Sequence, residues 1–433
     1  MSNHPRRWKT PALEGLKSLL ILLLSCSAIF LVSRTPISSG FRPTVPVPGR
    51  TPPPATVGPS VVSTRPVRLV VTQVEGDHVR HYGVQYVSDD PLYSAVLPLL
   101  SEAVASAGEP QKIPESAFRA ALQSESVYCD FLGAVPLDTL ALWLTGAPVP
   151  SLPSDSLVRR LCLSAQGDGV ALSYQDETTD LFYSCHLSAD LSPRLSLLAD
   201  AQSGNRAHFA FQLDASYEDL SPYTLVLPDP PVPLVYAAEN PMGAVDSALL
   251  SAVQQDVLRA FSFHQQTSAI YPIPDGVAIN EGGDTLRLKA DGTLAYYASD
   301  LTDVRIPAGE NPVETVRALA EATVGTHCGS ARLYLSAVST TEKGFSVSFD
   351  YLLDGAGVQL AQDSHAATFT VEDAVVVDAL LNFRAYTPTE QKTLLLPELQ
   401  AAAAATALDA GPGELLLRYE DTGSATVSAV WSM

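Results

Sequence analysis

The sequence predicts an α+β protein: a single N-terminal transmembrane helix followed by two ectodomains, each an antiparallel sheet with helices. Three observations lead there. One apolar tract, Leu16–Val32, stands alone near the N-terminus. Nine prolines fill residues 34–66. Beyond them, strand-like runs joined by glycine turns are interrupted by helix-start pairs such as Asp90-Pro91 and Asn311-Pro312. The expected division is a cytoplasmic tail over 1–15, a transmembrane helix over 16–33, a proline-rich linker over 34–66, and α+β ectodomains over 67–235 and 236–433.

The tract LKSLLILLLSCSAIFLV is 17 residues long, at the short end of what spans a bilayer. Arg6, Arg7 and Lys9 precede it, Lys17 sits at its very start, and Arg34, Arg42 and Arg50 follow, so counting positive charge separates the two ends only weakly. The continuous body downstream favours a single-pass cell-membrane protein with a cytoplasmic N-terminus and an extracellular ectodomain. Two other readings stay open. Leu23-Leu24-Ser25-Cys26 matches a lipobox, which would anchor a lipoprotein at Cys26, and a cleaved signal peptide is the third option. As an uncleaved helix, the tract offers the small residues Ser25, Ser27 and Ala28 beside Cys26, a patch suited to close helix packing. Leu19, Leu23, Ser25, Cys26, Ser27, Ala28 and Phe30 are the expected contacts with another membrane helix. The linker, with Pro52-Pro53-Pro54, favours extended polyproline conformations and reads as a semi-rigid stalk.

In the first ectodomain, two β-rich runs flank Glu75-Gly76-Asp77 as a hairpin, and Asp90-Pro91 starts a helix running to about Ala107. A short helix after Pro114, a strand over 126–132, a helix over 136–144 and three strands near 157–164, 169–176 and 181–188 follow. Tyr223–Leu227 reads as a closing strand before a proline-marked boundary. In the second, Asn240-Pro241 is expected to cap a helix carrying Leu250, Val253, Val257 and Phe261 on one face. LRLKADGTLAYY reads as a hairpin with a two-residue type I′ turn at Asp291-Gly292 and with Leu286, Leu288, Leu294 and Tyr296 on one face. Asn311-Pro312-Val313-Glu314 forms a capping box, and Thr387-Pro388-Thr389-Glu390 is expected to start a long last helix through 401–405. Strands are expected near 331–338, 344–353, 366–371, 374–386, 414–419 and 425–431.

Charge excludes one class of partner. Residues 1–68 hold nine Arg and Lys against one acid, Glu14, so the net charge of −21 leaves about −29 on the remaining 365 residues. Such a body repels nucleic-acid phosphate. Cys129, Cys162, Cys185 and Cys328 are too sparse for a disulfide scaffold, and they read as mostly buried free thiols. No catalytic, cofactor or metal site emerges. His78 and His81 are three apart on a strand, which points them to opposite faces, so they read as exposed strand histidines. His327-Cys328 reads as a thiol at a helix end beside a surface imidazole. Neither a nucleophile elbow nor Ser-x-x-Lys occurs. Asp89-Asp90, Asp291 and Asp354 fit a helix start and turns. No small-molecule substrate is expected.

Trp8-Lys9-Thr10, one membrane segment and a large α+β ectodomain together resemble the YycH/YycI accessory proteins of Firmicutes. The closer likeness lies over residues 240–433. It runs through Leu333-Tyr334-Leu335-Ser336, then Phe349-Asp350-Tyr351 with Asp354-Gly355. It continues through Asn382-Phe383-Arg384-Ala385-Tyr386-Thr387 and Leu396-Pro397-Glu398-Leu399-Gln400-Ala401, then Tyr419 and Val430-Trp431. Phe349, Asp350, Tyr351, Gly355, Phe383, Arg384, Tyr386, Pro397 and Trp431 are the signature positions, in a domain that resembles PepSY-type folds. The resemblance implies a non-enzymatic regulator of the WalK/WalR two-component system. Its partners would be a WalK-like sensor histidine kinase, reached through the membrane helix, and a paralogous membrane-anchored protein, reached through the ectodomain. The stalk is longer than the family leads one to expect, which argues against rigid coupling from ectodomain to helix. The competing classes are an envelope-binding or solute-binding lipoprotein anchored at Cys26 and a wall-active enzyme.

Overall fold

The computed structural model describes residues 65–433 apart from 86–89, 168, 215–216, 229–231, 247–249, 300–301, 303 and 408–412. The expected membrane segment, with Leu19 through Phe30, and most of the linker lie outside the described residues. Among those described, no helix is long and apolar enough to cross a membrane.

The first half is mixed helix and sheet. β1 (Arg68–Glu75) and β2 (His78–Gln85) form the expected hairpin, with Gly76 at φ 61 supplying the left-handed turn position. The Asp90 carboxylate accepts from the Leu92 N–H at 2.8 Å and opens α1 (Pro91–Ala105). Then come β3 (Gln111–Ile113), α2 (Glu115–Gln123), β4 (Ser126–Pro136) and α3 (Leu137–Thr145). β5 (Leu157–Gln166), β6 (Gly169–Asp176), β7 (Leu181–His186) and α4 (Ser192–Asp200) complete this part. The seven strands order as β2-β1-β4-β5-β6-β7-β3. Alternation sends Leu69, Val71, Cys129, Leu161 and Cys185 to the face covered by α1, α3 and α4. It sends Val70, Tyr128 and Cys162 to the other face, under Phe118 and Leu122 of α2 and under Phe209 and Tyr223. Cys162 and Cys185 thus face opposite sides of the sheet. All four described cysteines are buried and free, and burial pushes Cys162, Cys185 and Cys328 up to about 12. β8 (His208–Phe209) and β9 (Leu225–Val226) form a small ribbon.

The second half builds a larger sheet. Its elements are β10 (Leu234–Glu239), α5 (Ala252–Ala260), β11 (Ala269–Ile273), β12 (Gly276–Glu281), β13 (Asp284–Lys289), β14 (Thr293–Tyr297) and α6 (Pro312–Thr323). There follow β15 (Arg332–Thr340), β16 (Gly344–Leu353), β17 (Ala356–Leu360), β18 (Ala367–Glu372), β19 (Val375–Asn382) and β20 (Ala385–Lys392). The chain closes with α7 (Glu398–Ala407), β21 (Leu416–Asp421) and β22 (Thr426–Ser432). Among the described residues the sheet has 13 strands, ordered β11-β12-β13-β14-β19-β18-β16-β17-β21-β22-β10-β20, with β15 on the flank of β16. The pairings are antiparallel except for β17 with β21. Leu286, Leu288, Leu294 and Tyr296 are all fully buried, as their alternation requires.

Four local expectations need correction. Asn240-Pro241 starts a turn, in which the Asn240 side-chain Oδ1 accepts from the Met242 N–H at 2.9 Å. The helix begins ten residues later with a Ser251–Gln254 capping box. An Asn-Pro pair suits either fate, and Gly243 at φ 62 turns the chain here. The Thr387-Pro388-Thr389-Glu390 stretch is not a cap but part of edge strand β20, where the missing proline N–H breaks no ladder. The Asp291-Gly292 connection is a three-residue loop: the Gly292 N–H donates to the Lys289 carbonyl at 3.2 Å, and only Gly292, at φ 94, is left-handed. A type I′ turn would need Asp291 there too. His81 is buried rather than exposed. Gln212 Nε2 lies 2.9 Å from its Nε2, and its Nδ1 lies 3.0 Å from Thr72 Oγ1, which donates on to the Leu122 carbonyl. Burial lowers the His81 pKa to about 4, in keeping with a neutral ring that accepts at Nε2 and donates at Nδ1.

One apolar cluster runs through both sheets, because the halves pack closely. β4 lies against β15, and Gly133 makes this approach possible: a methyl group on it would run into the backbone carbonyl of Leu335. Gly133→Ala is therefore expected to cost about 1–3 kcal/mol through overpacking. A fall in the urea midpoint checks this, and an unchanged midpoint would show that the sheets part easily. Helices meet as well. Trp143 Nε1 of α3 donates to Glu314 Oε2 at 2.6 Å, and Arg317 lies over the indole at 6.0 Å. Glu314 is thereby drawn away from the reciprocal capping bond, although the Asn311 side chain still accepts the Glu314 N–H.

Candidate functional site

The most developed polar feature lies where the two sheets meet. It has a buried ionic network on one side and an open cleft on the other. The network starts at Asp130 on β4, which is fully buried. Arg159 Nε and Nη2 reach its two oxygens at 2.8 and 2.9 Å, and Arg68 Nη1 reaches Oδ2 at 3.1 Å. Glu414, just before β21, takes Arg159 Nη1 at 2.7 Å, Arg68 Nη1 at 2.5 Å and Arg160 Nη2 at 3.3 Å. Arg160 also meets Glu177 at 2.9 Å. Three guanidinium groups thus face three carboxylates, so little net charge is buried. Arg159, with Arg68 and Arg160 beside it, holds the Asp130 carboxyl well below the usual range and lowers that of Glu414, each time against the opposing effect of burial.

The cleft has a volume of about 350 Å³. Its walls follow from strand alternation. On β15, Leu333 and Leu335 point into the core, which leaves Tyr334 and Ser336 facing the cleft. On β16, Phe349 and Tyr351 point inward and Asp350 outward. On β21, Leu417 and Tyr419 are buried, while Leu416 and Arg418 lie on the open side. Leu132 enters from a bulge in β4, where its φ is 70 and its N–H donates to Asp130 at 2.8 Å. Gly357, Val358 and Gln359 of β17 and the 363–365 turn complete the lining. His365 Nδ1 lies 2.9 Å from Asp350 Oδ1, and this hydrogen bond raises the His365 pKa. Burial raises the Tyr334 pKa as well, so the phenol stays protonated.

Of the signature positions, only Asp350 reaches this cleft. Phe349, Tyr351, Phe383 and Tyr386 are buried in the core of the second sheet. Tyr351 Oη donates to the Asn382 carbonyl at 2.7 Å and accepts the Arg384 N–H at 3.0 Å. Arg384 forks onto Asp421 at 2.7 and 2.9 Å, and Tyr386 Oη donates to the same carboxylate at 2.9 Å. Gly355, at φ 76, turns the chain after Asp354. Pro397 precedes α7, and Trp431 Nε1 donates to the neighbouring Leu396 carbonyl at 2.9 Å. His78 and His81 do not converge. His327 meets Asp256 at 3.3 Å beside buried Cys328. Among the described residues, no group of three His, Cys, Asp or Glu side chains could hold a metal ion.

Sequence reasoning missed Tyr334 as a cleft residue, and it missed His365, Arg418 and the Arg68–Asp130–Arg159–Glu414 network entirely. The alternation around Leu333, Leu335 and Tyr419 signals which residues face away from the core. It carries no information about which other strand they meet.

No family model matches the chain, and no curated protein matches it. In structure it is similar to the crystal structure of YycH from Bacillus subtilis, with a TM-score of 0.54 and 12% sequence identity, over 86% of this chain and 94% of that one. The chain has a YycH-like fold.

Proposed function

We propose, from this YycH-like fold, that the chain is a non-enzymatic, membrane-anchored regulator of a sensor histidine kinase that controls cell-wall metabolism. The observation that carries the reading is that the likeness extends over 94% of the crystallised YycH chain, not over one shared module. The ordered sequence signatures of the second half support it. On this reading residues 67–235 and 236–433 are two lobes of an extracellular ectodomain, and the 16–33 segment is the membrane helix. Leu19, Leu23, Ser25, Cys26, Ser27, Ala28 and Phe30 pack beside the transmembrane helices of a WalK-like kinase, and the ectodomain pairs with a paralogous membrane-anchored partner. The helix contact biases two signalling states only if its contact energy differs between them.

The test replaces residues 16–32 with an unrelated membrane helix and measures kinase autophosphorylation in membranes. Regulation is expected to fall to the level of a strain lacking the protein; unchanged regulation overturns the helix-contact mechanism. The Leu23-Leu24-Ser25-Cys26 lipobox supports a second reading, an envelope-binding or solute-binding lipoprotein. Mass spectrometry of the mature N-terminus separates the two, since only the lipoprotein begins at an acylated Cys26.

A further inference from the structure

The polar groups lining the cleft are not all used by the fold. Asp350 is engaged by His365, Asp363 accepts from Gln359 Nε2 at 2.8 Å, and Arg159 is saturated by Asp130 and Glu414. Ser336 donates to the Ser348 carbonyl and Ser364 to the Ala361 carbonyl. Two groups remain. The half-buried Arg418 guanidinium has no carboxylate or carbonyl partner among the described residues, and neither does the Tyr334 hydroxyl. They are neighbours. Tyr334 Oη lies over Gly357, where an added Cβ would sit 3.0 Å from it, and Gly357 is the register partner of Arg418 across β17 and β21. Around them stand the apolar side chains of Leu132, Val358 and Leu416.

We propose that this cleft binds a small monocarboxylate with an apolar body. Arg418 holds the carboxylate in a two-bond fork, Tyr334 donates a further hydrogen bond, and Leu132, Val358 and Leu416 enclose the apolar part. Three features select this class. A planar guanidinium matches a carboxylate edge-on. One uncompensated cation beside Asp350 and Asp363 suits a single negative charge and disfavours a dianion. A volume of about 350 Å³ is at the small end of ligand sites, which suits an acylated amino acid or a short peptide terminus. Gly357 keeps the site open, and its φ is not left-handed, so a side chain there would fill the space without backbone strain.

The inference stands apart from the kinase reading, because its test contains no kinase. Acetyl-leucine and its uncharged analogue acetyl-leucinamide are titrated by calorimetry into the full-length chain in detergent micelles. Acetyl-leucine is expected to bind, and the amide about tenfold more weakly or worse. Arg418→Gln and Gly357→Val should each weaken the acid by about tenfold or more, and Tyr334→Phe, the mildest change to packing, by about threefold. The proposal is overturned if acetyl-leucine does not bind, if the amide binds equally well, or if Arg418→Gln or Tyr334→Phe leaves the affinity unchanged. Tighter binding of inorganic phosphate than of acetyl-leucine would also overturn it.

Discussion

Replacing Asp130 with alanine is expected to destabilise the protein by about 3–5 kcal/mol, the cost of removing one partner from a buried ion pair. The reason is where the charges sit. Arg68 is nearly inaccessible and Arg159 is mostly buried. Without Asp130 these two cations share Glu414 as their carboxylate, in a largely buried site. Loss of attraction is the smaller part of the cost, and stranded positive charge is the larger. Asp130→Asn fills the same space and keeps one acceptor, so it should cost less than alanine, but it removes the charge and turns the other oxygen into a donor facing a guanidinium. Urea unfolding followed by the fluorescence of Trp143, which lies at the contact between α3 and α6, measures both variants. A loss under about 1 kcal/mol for Asp130→Ala would mean that water or relaxation replaces the network, as at exposed pairs. The pH dependence has a definite sign. Asp130 and Glu414 have ordinary values of 3.8 and 4.5 and lower values in the fold. Their contribution is therefore complete above about pH 5 and is lost as pH falls through 4 and below. Asp130→Asn should flatten that acid limb.

This network illustrates what could and could not be seen in the sequence. Turn and cap chemistry is local, so the Gly76 turn and the Asp90 cap were visible in a few residues. The alternation at Leu286, Leu288, Leu294 and Tyr296 was equally plain, because one face of that hairpin is wholly core. Local signals fail where two structures use the same residues. Asn-Pro suits a turn or a helix start, and Thr-Pro-Thr-Glu has the local pattern of a helix cap although its partner strand β10 lies 154 residues away. The ionic network is the extreme case: Arg68 and Glu414 are 346 positions apart, and only the folded chain brings them together. The cleft lies between. The alternation of Leu333 with Leu335 and of Leu417 with Tyr419 leaves Tyr334 and Arg418 off the core faces, a local signal that went unread. Their approach depends on the parallel pairing of β17 with β21, and β17 itself was not expected as a strand.

Glu398→Gln is expected to stabilise the protein at pH 8 by about 3 kcal/mol and to change little at pH 5. Glu398 begins α7 and is almost wholly buried. Its Oε2 accepts the Leu227 N–H at 2.7 Å, and Gln85 Nε2 lies 3.2 and 3.3 Å from its two oxygens. Burial pushes its pKa up to about 7 from an ordinary 4.5, although those hydrogen bonds and the charge of Arg68 pull it down. The fold therefore favours the protonated acid. Below pH 4.5 both states hold the proton and nothing is lost. As pH rises from 4.5 to 7 the unfolded chain releases its proton while the fold retains it, and stability falls by about 3 kcal/mol in all. Glutamine avoids that loss. Its carbonyl can accept the Leu227 N–H, and once the Gln85 amide turns over, the new amide can donate to Gln85 Oε1, a buried acceptor without a partner in the parent. This slope opposes that of the Asp130–Glu414 network, so the parent should be most stable near pH 5, between the two limbs. The limbs are also coupled through Arg68, which acts on both. Removing Asp130 leaves Arg68 less neutralised, lowers the Glu398 pKa and shrinks the benefit of Glu398→Gln in the double variant. Chemical denaturation of the four proteins at pH 5 and pH 8 checks this. Equal effects of Glu398→Gln at both pH values would mean that the buried carboxyl is not the group that titrates.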